Sequence, residues 1–292
     1  MSESVALRLR STRRAAPKTR RRVGSVAKHA VLLAFSGLAL FPIYFMVVNS
    51  LKTSDEYASN TLGPPHHLVG STLHEALAGG DLYRWLLNSL LITGSSVLIS
   101  TVVAAFAAYP ISLMRWRPGR LVLGILVALL VVPPIVLIIP LFQLVVDVHQ
   151  VNTFRSVIVI YTGLMLPFST FLLATFFATV PRSLVEAARI DAAGTFRIFR
   201  SILLPLARPV LITLVIVQAL WVWNEVLIAI VFLQDQSLRT LMVGLTVFKS
   251  RYHLQVPLVM AGMLWATVPM VLLYLVGQRF FIRGLTAGAT KG

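Results

Sequence analysis

The most constraining feature of this sequence is a set of six long windows that contain almost no charged residue. Each window is 22 to 30 residues long, and they lie at residues 30–51, 85–114, 121–146, 156–181, 209–234 and 252–278. An α-helix rises about 1.5 Å per residue, so roughly 20 apolar residues cross a hydrocarbon core of about 30 Å. The windows are continuously apolar, which favours helices over the alternating strands of a barrel. The sequence therefore predicts an all-α integral membrane protein with six transmembrane helices.

The basic residues between the windows predict the orientation of these helices. If the amino terminus is cytoplasmic, 20 of the 26 Lys and Arg residues fall on the cytoplasmic side and six fall on the other side. Basic loops stay on the cytoplasmic side of a membrane, so both termini are expected there.

Composition limits the other functions that the chain could perform. The net charge of +16 comes largely from a basic arm within residues 1–27, which we expect to be a disordered cytoplasmic tail lying on anionic lipid rather than on nucleic acid. The remaining residues, 28–292, form the predicted transmembrane domain. The chain has no cysteine, so it has no disulfide. His66, His67 and His74 share the first external loop, where solvated side chains are a better interpretation than a zinc site.

The connection at residues 181–208, between the fourth and fifth windows, is the one non-membrane stretch with strong internal organisation. Ser183 and Glu186 have the spacing of a capping box, so a short helix is expected to begin at Ser183. Its alanines are good helix formers and are small enough for another surface to approach. A second helical stretch, residues 196–204, should end near Pro205, with an elbow at residues 193–194. An ordinary hairpin at the lipid interface is the alternative.

The same connection resembles the cytoplasmic loop of type I ABC importer permeases. The family pattern is E-A-A, three residues, G, nine residues, I, one residue and L-P, and it corresponds here to residues 186–205. Ala192 stands where the family has glycine, although Gly194 follows, and alanine tolerates positive φ poorly. Similarity to the second permease subunit of maltose-type carbohydrate importers extends to Asn88-Ser89, to Trp223-Asn224-Glu225 and to the ending at residues 278–292.

This resemblance implies a function and a set of partners. The chain would be the permease of an ATP-driven sugar importer in a bacterial-type inner membrane, with a type I core at about residues 84–280. A second homologous permease, a cytoplasmic ATPase dimer and an extracytoplasmic solute-binding protein would be its partners. No G-x-x-x-x-G-K-[ST] motif occurs, so the chain is expected not to be an enzyme, and ATP and Mg would be bound by the ATPase. A glycerol phosphodiester or a polyol is the alternative substrate.

The resemblance also assigns residues to the contact with the ATPase. Glu186 would face a basic group of the ATPase, and the other coupling residues are Ala187, Ala188, Asp191, Ala192, Gly194 and Pro205. The carboxyl-terminal tail, residues 281–292, would reach the ATPase interface. Its assigned residues are Gly284, Leu285, Thr286, Gly288, Lys291 and Gly292.

Polar residues inside the windows are candidates for the substrate pathway, because such groups are costly in lipid and usually face the bundle interior. Gln218, Trp221 and Glu225 lie on one helical stripe with Asn224 beside it, and Asn88 is a further candidate. The alternative places Trp221 and Trp223 in the interfacial aromatic belt and pairs Glu225 with a neighbouring helix.

A second polar stripe in the second window favours helix packing over a pathway; it consists of Ser89, Thr93, Ser96 and Ser100. A secondary transporter or channel would require inverted repeats and several embedded ionisable groups, whereas the windows show only Glu225 and no convincing repeat. A membrane-embedded enzyme would require paired acids, a His cluster or a nucleophile with its base, and none is visible.

Overall fold

The computed structural model describes residues 18–78, 81–114, 118–251 and 255–289, and the regular structure in these residues is helical. The predicted basic tail lies partly outside them, but the first helix already begins at Lys18. The helices are α1 (Lys18–Ser50), α2 (Ser54–Ser59), α3 (Ser71–Ala78), α4 (Leu82–Leu113), α5 (Gly119–Leu129), α6 (Pro134–Asp147), α7 (Phe154–Ala178), α8 (Arg182–Ile190), α9 (Thr195–Ile198), α10 (Leu204–Asn224), α11 (Leu227–Phe232), α12 (Leu241–Arg251) and α13 (Val256–Ala289).

Five continuous helices among the described residues are long and apolar enough to span a membrane. They correspond to α1, α4, α7, the segment Thr195–Asn224 and α13. The prediction of six membrane-crossing windows is confirmed for five of them. The third window is wrong as a single helix, because it is divided into α5 and α6 with an angle of 101° between them.

Two adjacent prolines explain the break in the third window. Pro133 has extended backbone angles (φ −64°, ψ 133°) and Pro134 is the first residue of α6. Proline disfavours helical angles at the residue before it, but its fixed φ suits the first position of a helix. The pair therefore ends one helix and starts the next within four residues.

The most buried span is α7, with half of its most apolar window inside the molecule, whereas none of the corresponding window of α1 is buried. Helix α7 packs against α4, α5 and α10, and α1 packs against α13 at the edge. The packed face of α4 contains the predicted serine and threonine stripe, which is entirely buried. Ser100 of this stripe lies 3.2 Å from Ser169 of α7, hydroxyl to hydroxyl. The stripe is thus a packing face, as predicted.

The two ends of the bundle differ. At the elbow end, Val185 and Ala188 of α8 join the core at the ends of α4 and α7. At the loop end, α2 and α3 follow α1, and Lys52 is completely buried there. Its ammonium group donates to the carbonyl oxygens of Asn60 (2.5 Å) and Gly63 (2.8 Å) and to the Asn49 side chain (3.1 Å). These bonds tie the first loop to the end of α1.

The fifth window is also shorter as a helix than predicted. Helix α10 ends at Asn224, Glu225 turns the chain with extended angles, and the short helix α11 follows. The loop end of this window is therefore a separate segment, which is described further below.

Candidate functional site

The elbow helix α8 has one buried face and one exposed face. Val185 and Ala188 are buried in the core formed by the ends of α4 and α7. Glu186, Ala187 and Ile190 are exposed, and the Ile190 side chain is 87% accessible. Thus Ala188 serves the packing of the chain itself, while the other face is open to a partner.

The predicted capping box is wrong. Helix α8 begins at Arg182 with Pro181 as its N-cap, and no side chain caps it. The Leu184 amide instead donates to the Pro181 carbonyl oxygen at 3.1 Å. Because Ser183 already lies inside the helix, its hydroxyl is not at the capping position, and Glu186 does not return a carboxylate to it.

The turn of the elbow is located at Ala192, which has a positive φ of 54°. The Ala193 amide donates to the Ala188 carbonyl at 2.9 Å, and the Ala192 amide donates to the Arg189 carbonyl at 3.0 Å. This is the hydrogen-bond pattern of a Schellman cap, with alanine in the place usually taken by glycine. Gly194 has an ordinary φ of −65° and begins the next helix. The elbow is therefore at Ala192, after the C-cap residue Asp191, and not at residues 193–194.

The helix after the elbow continues into the membrane without ending at Pro205, contrary to the prediction. Residues Phe199–Leu203 form a π-helical turn, closed by a bond from the Leu204 amide to the Phe199 carbonyl. Proline has no amide hydrogen, and its ring clashes with the carbonyl four residues before it. The wider π turn accommodates Pro205 and keeps the chain helical.

Charged side chains of α8 line a cleft of about 290 Å³ against the end of α4. Arg182, Glu186 and Arg189 lie on the α8 side, and Leu113 and Met114 lie on the other side. All three charged residues are exposed. No ion pair or hydrogen bond engages the Glu186 carboxylate within the part of the chain that the structure describes.

The predicted tail is only partly covered by the structure. The backbone of α13 continues through Gly284, Leu285, Thr286 and Gly288 to Ala289. Lys291 and Gly292 lie outside the described residues, so their predicted role stays a prediction.

A cavity of about 470 Å³ lies between the α5–α6 bend, α7 and α10. Among the described residues, no charged side chain lines it. Its lining residues are Leu129, Leu130, Val132, Pro134, Leu137, Gly163, Leu164, Met165, Pro167, Phe168, Val217, Gln218 and Trp221.

Gln218 and Trp221 are the polar and aromatic features of this cavity. Gln218 is 97% buried, and its amide nitrogen donates to the Ser169 hydroxyl, which donates to the Met165 carbonyl at 2.6 Å. The Gln218 side-chain oxygen has no hydrogen-bond partner in the described part of the chain. Trp221 is 38% exposed at the cavity wall. A partly exposed aromatic ring in an uncharged wall suits a molecule with an apolar face.

The other predicted pathway residues face elsewhere. The Asn88 amide donates to the Ser237 and Arg239 carbonyls at 2.9 and 3.0 Å. Asn224 is exposed and bonds its own helix at Leu220. The structure thus brings only two of the five predicted residues to the cavity.

The alternative to a pathway paired Glu225 with a neighbouring helix and placed Trp223 in the interfacial aromatic belt. The structure agrees with it for Glu225 and disagrees for Trp223. Glu225 pairs with Tyr161 of α7 at 2.6 Å, as that alternative expected. Trp223 is buried and donates to the Ala266 carbonyl at 3.2 Å, so it is not part of an interfacial belt.

Sequence reasoning missed Tyr161, Ser169 and the bend that borders the cavity. The Pro133-Pro134 pair could have predicted the bend, because two adjacent prolines within an apolar window mark a turn. Tyr161 and Ser169 carried no such signal, since their partners lie 64 and 49 residues away in the sequence. His66, His67 and His74 are exposed, and no group of three or more metal-ligating side chains occurs among the described residues.

Comparison with known proteins gives consistent matches. Residues 96–282 match the model of the family described as the inner membrane component of binding-protein-dependent transport systems. The melibiose/raffinose/stachyose import permease protein MelC of Bacillus subtilis is 36% identical over 252 residues, which cover 86% of this chain and 91% of MelC. The arabinooligosaccharides transport system permease protein AraQ of the same organism is 30% identical, over 92% of this chain and 97% of AraQ.

A solved structure shares the fold. A chain from the crystal structure of a bacterial ABC transporter involved in the import of the acidic polysaccharide alginate superposes with a TM-score of 0.79 and is 21% identical. The match covers 91% of this chain and 99% of that chain. Most of the chain thus shares its fold with that protein.

Proposed function

The chain belongs to the family of inner membrane components of binding-protein-dependent transport systems, and from this membership we propose that it carries a neutral oligosaccharide as the permease subunit of an ATP-driven importer. Members of this family are ABC transporter permeases, so the chain is a multi-pass protein of the cytoplasmic membrane. Its two relatives described above are named for the import of oligosaccharides.

The observation that carries the choice of substrate is the lining of the cavity. The partly exposed Trp221 ring offers an apolar surface to a sugar face, and Gln218, whose buried side-chain oxygen has no partner among the described residues, is the polar residue of the lining. The absence of charge around the cavity favours a neutral sugar or polyol over a glycerol phosphodiester, whose phosphate would need a cationic partner. An oligosaccharide is the candidate that both the lining and the relatives support.

We place the elbow end on the cytoplasmic side. The excess of basic residues on that side supports this orientation. The exposed face of α8, with Glu186, Ala187 and Ile190, would then dock into a cytoplasmic ATPase, and Asp191, Ala192 and Gly194 would lie next to the contact. ATP and Mg would be bound by the ATPase. A second permease subunit and an extracytoplasmic binding protein would complete the assembly.

The substrate assignment is tested by uptake in proteoliposomes that contain the complete transporter and its binding protein. The labelled probes are neutral di- and trisaccharides, a polyol and a glycerol phosphodiester. We expect uptake of an oligosaccharide, with Gln218→Leu and Trp221→Ala raising the KM about tenfold while the ATPase still copurifies. Preferred uptake of the phosphodiester, or unchanged KM in both variants, would exclude the sugar site.

The coupling assignment needs a separate test. Glu186→Lys reverses the charge on the exposed face of α8, so we expect membrane insertion to persist while ATPase association and uptake fall at least tenfold. Truncation after Arg283 tests the tail in the same way. Arg120→Gln is the control, because it also changes the charge of an exposed residue at the elbow end, at the start of α5. It should leave ATPase association and uptake unchanged. Normal uptake by Glu186→Lys would refute the coupling role of α8.

A further inference from the structure

Glu225 occupies the joint between the fifth span and the short helix that follows it. Its backbone is extended (φ −75°, ψ 128°), so the helix stops there. The carboxylate accepts hydrogen bonds from the Ile228 amide at 3.0 Å and the Ala229 amide at 3.2 Å. A carboxylate in this position satisfies amides that the first turn of a helix leaves without partners. Glu225 is therefore used by the chain itself and does not point into the cavity.

The same carboxylate is bound to the fourth membrane-spanning helix. The Tyr161 hydroxyl, on a residue with no exposed surface, donates to Glu225 at 2.6 Å. The Tyr161 ring also meets the Trp221 ring edge-to-face, with centroids 5.9 Å apart and an interplanar angle of 84°. Trp221 belongs to the cavity wall. One tyrosine thus contacts both the cavity wall and the joint.

Beyond the joint, residues 225–241 form a strap across the loop end of the bundle. Asn152 fixes its middle, since the Asn152 amide donates to the Phe232 carbonyl at 3.0 Å and its side-chain oxygen accepts from the Asp235 amide at 2.9 Å. Three side chains of α4 fix the remainder. Trp85 donates to the Gln236 carbonyl, Asn88 donates to the Ser237 and Arg239 carbonyls, and Ser89 accepts from the Leu241 amide.

We propose that Glu225 is a positioning residue that joins the strap to the cavity wall, so that Trp221 and the strap change position together. The carboxylate does not touch the solute; it acts through Tyr161 and through the first turn of α11. A packed element with fixed contacts at both ends moves as a unit rather than deforming gradually. Closure of the loop end would therefore be linked to the arrangement of the cavity. The inference rests on the proposed function, because it describes how transport is organised around that cavity.

The test compares Tyr161→Phe and Glu225→Gln in the complete transporter with its binding protein. Both variants weaken the joint and neither removes a group from the cavity wall. We expect the maximal rate of oligosaccharide uptake to fall about tenfold in each, which corresponds to about 1.4 kcal/mol in the activation free energy. The KM should stay within twofold of the unmodified protein. The double variant should be no slower than the slower single variant, since both changes break the same link.

A second measurement reports the joint without requiring transport. Hydrogen exchange at the amides of Ile228 and Ala229 should accelerate about fivefold in Tyr161→Phe, because the carboxylate loses its anchor on α7. Tyr274→Phe is the matched control. It removes the same hydroxyl group from a half-exposed tyrosine of α13, and it should leave both uptake and exchange unchanged.

Three results would overturn the inference. A raised KM in Glu225→Gln with normal exchange would make Glu225 a contact of the solute. Faster exchange at the Ile228 and Ala229 amides with an unchanged maximal rate of uptake would show that Glu225 only caps the helix α11. Unchanged exchange at these amides in Tyr161→Phe would show that the Tyr161 hydroxyl does not hold Glu225 in place. If the unmodified complex transports none of the sugars, the proposed function fails, and the exchange result still decides whether Tyr161 anchors the strap.

Discussion

Replacement of Ala192 by glycine should stabilise the elbow. Ala192 holds the left-handed conformation that closes the Schellman cap of α8, with φ at 54°. This conformation costs an L-residue about 1–2 kcal/mol, and the greater freedom of glycine in the unfolded chain offsets part of the gain. We therefore expect Ala192→Gly to stabilise the closed elbow by about 1 kcal/mol, or roughly fivefold in its opening equilibrium.

The assay is hydrogen exchange at the two amides that close the cap, those of Ala192 and Ala193, in the assembled transporter. Both bond to carbonyls of α8 and should exchange roughly fivefold more slowly in the glycine variant. Gly194→Ala is the matched control, because Gly194 has φ −65° and no atom lies within 4 Å of the position where a Cβ would be placed. An elbow opened by Gly194→Ala and unaffected by Ala192→Gly would refute the location of the turn.

The remaining predictions concern the loop end. Gly244→Ala should lower the thermal stability by several degrees, because the new Cβ would overlap the buried Trp85 ring, whereas Gly124→Ala, with open space around it, should not. Lys52→Met should cost about 2–3 kcal/mol and accelerate exchange in the first loop, since buried carbonyls lose their ammonium donor; equal stability would contradict this role. Asn88→Ala should loosen the strap, measured as faster exchange at residues 237–241, without changing the KM for the solute; a raised KM would return Asn88 to the pathway.

Hydropathy predicted the spans because crossing a hydrocarbon core is a local requirement of length and polarity. It did not detect the bend of the third span, since Pro133 and Pro134 are as uncharged as their neighbours. The capping box failed for a related reason. Pro181 is the N-cap, so Ser183 lies two positions further along, inside the first turn, where its hydroxyl cannot cap the helix. Local patterns thus gave the elements and missed their exact ends.

The candidate site was less predictable because its geometry depends on contacts between distant segments. Helical spacing placed Gln218, Trp221 and Glu225 on one stripe, but the helix ends before Glu225, so its side chain leaves the stripe. Tyr161, which receives that side chain, belongs to another span. The turn after α8 was easier to locate than the cavity because it lies within one short continuous stretch. Even there, the alanine at position 192 adopts the backbone conformation of the residue it replaces.

The bend between α5 and α6 also bears on how this chain enters a membrane. The amides of Leu130, Val131 and Val132 turn back to bond carbonyls of α5 at 3.1–3.2 Å, and Pro133 and Pro134 have no amide hydrogen. Five consecutive residues therefore present no free donor to the lipid, where each unsatisfied group costs several kcal/mol. The carbonyls of Leu130, Val131 and Val132 accept no backbone hydrogen bond among the described residues, and water or a hydroxyl group in the adjoining cavity can satisfy them. The bend thus leaves fewer unsatisfied groups for water or another helix to cover when this span enters the membrane.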